Sequence, residues 1–126
     1  MGIRARAPDL PTLLVEAARG LFSLIAEPLP DDPPGSRIDI RVRGDRADLL
    51  LFDWLSELLS VSDRDRTVLD DFEVALVEGG LDGRAHVLSV DDPGIVLLRE
   101  VKAITYHGLS VEREGAEWVA EFIVDV

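Results

Sequence analysis

The stretch EVKAITYHGLSVEREGAEWVAEFIVDV, Glu100 to Val126, decides the fold. Its two halves alternate apolar and polar residues, as half-buried strands do, about a turn at EREG, Glu112 to Gly115. That turn suits a four-residue hairpin loop built on a type I turn, with glycine in the left-handed position. In the first half Val101, Ala103, Thr105, His107, Leu109 and Val111 share a face, and Glu100, Lys102, Ile104 and Tyr106 the other. In the second half Trp118, Ala120, Phe122, Val124 and Val126 oppose Val119, Glu121, Ile123 and Asp125. Both apolar faces must meet one core, which sets the parity of the register. The expected pairs are Val111 with Ala116, Leu109 with Trp118, and Lys102 with Asp125 on the face turned away from the core.

Upstream of the hairpin, two further strands are expected, about Val68 to Val77 and about Gly83 to Val90, with Gly79-Gly80 between them. The strand carrying Lys102 is expected to begin near Val96, with a break near Leu98, after a turn at Asp91 to Gly94. A helix from near Asp45 presents Ala47, Leu50, Leu51, Trp54, Leu55, Leu58 and Val61 on one face, and SDRDR, Ser62 to Arg66, reads as a charged turn after it. SRIDIRVRG, Ser36 to Gly44, alternates strictly and reads as a strand. EPLPDDPPG, Glu27 to Gly35, holds four prolines and reads as a connection. Before it, Asp9 caps a helix whose Leu10, Leu13, Leu14, Ala17, Ala18, Leu21, Phe22 and Ile25 form an apolar stripe. Ile3 to Ala7 alternates as a short strand, and the chain starts inside that pattern. The order strand, helix, strand, helix and four strands predicts an α+β fold. Its single domain, residues 1–126, packs two helices on one face of a mainly antiparallel or mixed sheet.

Composition narrows the function. The 126 residues are 47% hydrophobic and 30% charged, which fits a folded domain rather than a disordered chain. Carboxylates outnumber bases 25 to 13, for a formal net charge of −12, and no basic stripe interrupts them. Direct nucleic-acid binding is therefore not expected, whereas a basic protein partner or a divalent cation is. No cysteine is present, which excludes disulfides, thiolate metal sites and cysteine nucleophiles. Neither a signal-type apolar core nor a membrane-length apolar run is visible, so a cytoplasmic location is expected. No G-x-S-x-G, H-E-x-x-H, phosphate-loop or dinucleotide motif occurs, and no catalytic residue is assigned. The acidic pairs Asp31-Asp32, Asp70-Asp71 and Asp91-Asp92 sit in or near turns, where aspartate is common.

One local choice stands out. Lys102 is the sole lysine against twelve arginines. Asp125, the Val126 terminal carboxylate and Glu100 lie about it in the expected register. Such a group reads either as an ordinary cross-strand ion pair on a solvated face or as an oxygen-donor set for a hard cation such as Ca²⁺, Mn²⁺ or Mg²⁺. Thr105 and His107 fall on the apolar face, as a hydrogen-bonded core pair or as groups that support the acidic site. His86 is given no role.

The stretches GIRARAPDLPTLLVEAARGLFSLI (Gly2 to Ile25), DLLLFDWLSELL (Asp48 to Leu59), FEV (Phe72 to Val74), EVKAITYHGLSV (Glu100 to Val111) and WVAEFIVDV (Trp118 to Val126) together resemble the archease family, over nearly the whole chain. The resemblance implies a small acidic accessory protein that activates the GTP-dependent RNA-splicing ligase, promoting metal-assisted guanylylation and repeated turnover in tRNA splicing and RNA repair. It implies that Asp125 and the carboxylate of Val126 hold the divalent metal and that Lys102 is a functional position. Glu100, Thr105 and His107 match the motif without a defined role. The family pattern H-T-A-D, whose aspartate is another metal ligand, would precede Gly2; Met1 stands there instead, and the first strand reads as truncated. Two rival readings are an acidic, chaperone-like binding module without metal and a small metal-dependent hydrolase.

Overall fold

A computed structural model describes residues 1–27 and 36–126. Most of the expected proline-rich connection, and its Asp31-Asp32 pair, lies outside the described residues. Six strands and two helices follow in chain order: β1 (Gly2–Ala7), α1 (Leu10–Ile25), β2 (Ser36–Arg43), α2 (Ala47–Asp65), β3 (Thr67–Val77), β4 (Gly80–Ser89), β5 (Ala103–Glu114) and β6 (Glu117–Asp125). All strand pairs are antiparallel. They form two three-stranded sheets, ordered β1-β6-β5 and β2-β4-β3, where one sheet was expected. Each helix touches strands of both sheets.

The helices form where cap and stripe predict. The Asp9 carboxylate accepts the Thr12 N–H at 2.8 Å, and Pro11 sits in the first turn, where a missing N–H costs nothing. Leu13, Leu14, Ala17, Ala18, Leu21 and Phe22 are buried along α1. Helix α2 runs on through Ser62–Asp65, which was expected to turn, because no residue there breaks a helix. It stops at Arg66, whose left-handed backbone (φ 52°) returns its N–H to the Ser62 carbonyl.

Trp54 of α2 lies at the centre. It is fully buried, its Nε1 donates to the Leu14 carbonyl at 3.0 Å, and its ring lies edge-on to Phe72 of β3. The ring also covers the backbone of Gly83 in β4. Sheet β1-β6-β5 supplies Ala7, Ile104, Ala120, Phe122 and Val124 to the same core.

The outer faces carry charge. Arg4 meets Glu121 at 3.2 Å and Glu114 at 3.3 Å, and Arg6 meets Glu114 at 3.2 Å. On the other sheet Arg84 meets Asp39 at 3.2 Å, Arg41 meets Asp82 at 3.7 Å, and Arg37 pairs with Asp71. These are exposed pairs, each a small contribution to stability.

Two expectations about the terminal hairpin are corrected. The loop is the two-residue turn Gly115–Ala116 rather than Glu112–Gly115, so Val111 faces Ala120 and Arg113 faces Trp118. Between Thr105↔Ile123 and Ser110↔Glu121, β5 advances five residues while β6 advances two, so three residues of β5 are extra. An odd insertion exchanges the faces of everything before it. Ile104 is therefore buried opposite Val124, while Thr105 is half-buried and His107 exposed, not in the core. Ala103, rather than Lys102, stands opposite Asp125.

The expected strand between Val96 and Lys102 does not form. Its backbone serves the end of α1 instead. Leu98 N–H donates to the Ile25 carbonyl at 2.8 Å, and Glu27 N–H donates to the Val96 carbonyl at 3.0 Å. A helix end leaves carbonyls without helical partners, and this segment satisfies one of them.

Candidate functional site at the chain terminus

Both edges of the last residues of β6 are held. On one side the Met1 amino group donates to the Val124 carbonyl at 3.2 Å, and the Met1 carbonyl accepts the Val124 N–H at 2.9 Å. On the other, the Lys102 N–H donates to the Asp125 carbonyl at 2.7 Å. Val101 and Ile104, both buried, anchor the segment that carries Lys102. Lys102, Asp125 and Val126 thus converge at one end of the sheet with their side chains exposed. The proximity was expected, but its basis is a backbone hydrogen bond. Among the described residues no ion pair within 4.0 Å involves Lys102 or Asp125, unlike the arginines of the outer faces.

Glu100 is exposed in the lead-in to Lys102. Thr105 Oγ1 donates to the His107 carbonyl at 3.3 Å, inside the bulge of β5. Gly108 in that bulge has φ +73°, and a Cβ there would lie 3.0 Å from Ile123 Cδ1. Tyr106 stacks on Phe52 of α2 with ring centroids 3.9 Å apart and planes 15° apart.

The oxygen donors that the sequence points to here are the carboxylates of Asp125 and Val126. Among the described residues no three His, Asp or Glu side chains group to hold a metal. An all-oxygen pair fits a hard divalent cation of the kind that binds through one or two carboxylates and keeps several waters. It does not make the closed cage of a high-affinity calcium site.

The buried histidine is His86, to which the sequence assigned no role. It is 7% exposed, and its Nδ1 lies 2.9 Å from Asp70 Oδ1. Its Nε2 is buried and meets no hydrogen-bond partner among the described residues. Beside it Asp71 adopts a left-handed backbone (φ 49°) at the bulge of β3, where Arg37 donates to its carbonyl at 3.2 Å and pairs with its carboxylate. Alternation within each strand relates neither residue to the other; the pairing of β3 with β4 sets Asp70 opposite His86.

Among the described residues, two helices and two antiparallel sheets make an α+β fold that leaves Lys102 exposed beside Asp125 and Val126. Residues 1–126 match the model of the Archease protein family (MTH1598/TM1083). The protein archease of Methanopyrus kandleri is 40% identical over 118 residues, covering 90% of this chain and 84% of that one. Its Pyrococcus furiosus counterpart is 31% identical over 131 residues, covering 100% and 92%. The chain belongs to the archease family.

Two solved structures share the fold. The solution structure of Methanobacterium thermoautotrophicum protein 1598 superposes with a TM-score of 0.76 at 22% identity, covering 99% of this chain and 91% of that one. The crystal structure of an archease, described as a possible chaperone, from Thermotoga maritima gives 0.71 at 15% identity, covering 100% and 90%. No helix is long and apolar enough to cross a membrane among the described residues.

Proposed function

We propose that this protein is a non-catalytic accessory factor that activates the GTP-dependent RNA-splicing ligase. Its contact with that partner would be through protein, without direct nucleic-acid binding. The observation that carries the reading is the convergence of Lys102, Asp125 and Val126 at one exposed end of the sheet, in a chain of the archease family. Asp125 and the Val126 carboxylate would hold a partly hydrated Mn²⁺, Mg²⁺ or Ca²⁺. When bound there, the ion would supply positive charge to offset the negative charge of phosphate during guanylylation of the ligase.

Lys102, a compact and strongly hydrated point charge, would orient Asp125 or contact a phosphate oxygen; a planar, bidentate arginine would fill that role poorly. Glu100, Thr105 and His107 would support the site from the same stretch of chain, Thr105 and His107 being joined by the Thr105 Oγ1 bond to the His107 carbonyl.

The test is multiple-turnover RNA ligation by the cognate ligase, with GTP and Mn²⁺, with and without this protein. Asp125→Ala is expected to lower the stimulation about 10- to 100-fold, the scale on which metal-site residues act, and Lys102→Arg to lower it measurably. Stimulation by both variants equal to wild type would sink the site assignment. A second reading, an acidic binding module without metal, draws on the half-exposed Val96, Leu97 and Leu98 at the end of α1. It requires Asp125→Ala to stimulate as well as wild type with the Mn²⁺ left in place, which the first reading forbids.

A further inference from the structure

The bulge in β5 decides which residues stand beside the end of the chain. From Glu114↔Glu117 to Ser110↔Glu121 the two strands keep one register. Continued without interruption, that register would set Tyr106 opposite Asp125 and Thr105 opposite Val126. Lys102 would then overhang the chain end by three residues, about 10 Å at strand rise. The three extra residues between Thr105 and Ser110 cancel the overhang, and the Lys102 N–H reaches the Asp125 carbonyl.

Three contacts hold the extra residues in place. Tyr106 lies flat on Phe52 of α2. Gly108, with its left-handed backbone, rests on Ile123, where a side chain would crowd the isoleucine. Thr105 Oγ1 bridges to the His107 carbonyl across the bulge. Tyr106 is 64% exposed, so hydrophobic burial does not account for its position. The stack ties the bulge to a helix that is itself anchored through Trp54.

We propose that Phe52 and Tyr106 are positioning residues: their stack holds the β5 bulge and so sets the register that brings Lys102 to the Asp125–Val126 terminus. This rests on the activating role proposed above, and it extends that role to a residue on α2. Neither aromatic ring meets the cation or the partner's phosphate in this scheme.

The decisive experiment measures amide hydrogen exchange at Lys102 by NMR, together with the cross-strand Ala103–Asp125 contact, in wild type, Tyr106→Ala, Phe52→Ala and Tyr106→Phe. Tyr106→Ala alters an exposed side chain, so it stays readable if Phe52→Ala fails to fold. Protection at Lys102 is expected to fall about tenfold or more in the alanine variants, as local opening becomes easier, while Val111 and Ala120 keep theirs. Tyr106→Phe keeps the stack and is expected to keep the protection. Stimulation of ligation should fall in parallel with protection. Unchanged protection at Lys102 in the alanine variants overturns the proposal, as does lost protection with full stimulation. If the wild-type protein itself gives no stimulation, the activating role fails, and the exchange data still decide whether the stack sets the register.

Discussion

Gly83 shows how one residue can be dictated by a neighbour far away in sequence. A Cβ on it would lie 2.3 Å from Trp54 Cζ3 and 2.7 Å from Cη2. Trp54 cannot retreat, because it is fully buried and its Nε1 is bonded to the Leu14 carbonyl. Gly83→Ala should therefore destabilise the fold by about 1–3 kcal/mol, the range for overpacking a filled core. Urea denaturation checks this, with a lower midpoint and an unchanged slope as the expected result. The lone lysine obeys a different logic. The arginines of the outer faces sit among carboxylates across neighbouring strands, where a planar fork makes several contacts, as Arg4 does with Glu114 and Glu121. Lys102 has its backbone fixed and its ammonium left exposed, an arrangement that suits a site more than a lattice. The residue and its nearness to Asp125 were readable from the sequence; the backbone bond that brings them together, in place of a cross-strand ion pair, was not. Alternation placed an imidazole on the apolar face at His107, but that residue lies within the β5 bulge and is exposed, while the buried imidazole is His86 of the other sheet.

Among the elements, α1 is set by local chemistry. Hydrogen bonding to Thr12, through its side chain first and its backbone N–H second, holds the Asp9 carboxyl below its ordinary value of 3.8. A carboxylate with a lowered folded pKa adds stability above its unfolded pKa, and that contribution disappears as pH falls through the folded value. Asp9→Ala should thus lower stability at neutral pH, and the gap to wild type should close as pH drops below about 4. Parallel thermal melts at neutral and acid pH read this directly, and a gap that persisted in acid would assign the loss to something other than the charged cap. Strand β5 is the opposite case. Its alternation is clear in the sequence, yet its start at Ala103, its bulge and its partner register all depend on contacts made elsewhere. Residues 96–98 look like a strand and serve instead as partners for the end of α1, since unpaired carbonyls there must be satisfied.

At the scale of the whole molecule, the formal net charge of −12 is spread over a fold of 126 residues, and like charges repel most in the compact state. Raising salt from about 10 mM to about 150 mM shortens the screening length from about 30 Å to about 8 Å. The thermal midpoint is expected to rise over that range, because relief of net repulsion outweighs the loss of exposed ion pairs that contribute little individually. A midpoint that fell instead would show that the charge lattice on the sheets dominates. The sequence by itself determined the α+β class, the two helices with their buried faces, the cap at Asp9 and the antiparallel hairpin that ends the chain. It also marked Lys102, Asp125 and Val126 as residues to examine together. These are short-range properties, written in spacing of 3.6 and 2 residues and in the chemistry of caps and turns. Only the tertiary structure decided that the strands divide into two sheets with each helix touching both. It also decided that Gly83 lies under Trp54, that His86 meets Asp70, and that Ala103 rather than Lys102 faces Asp125. The reason is physical. Alternation specifies which residues share a face but is nearly blind to sliding by two or four, and an inserted bulge costs little locally. The register is chosen where distant side chains pack, as Tyr106 does on Phe52 and Gly108 on Ile123.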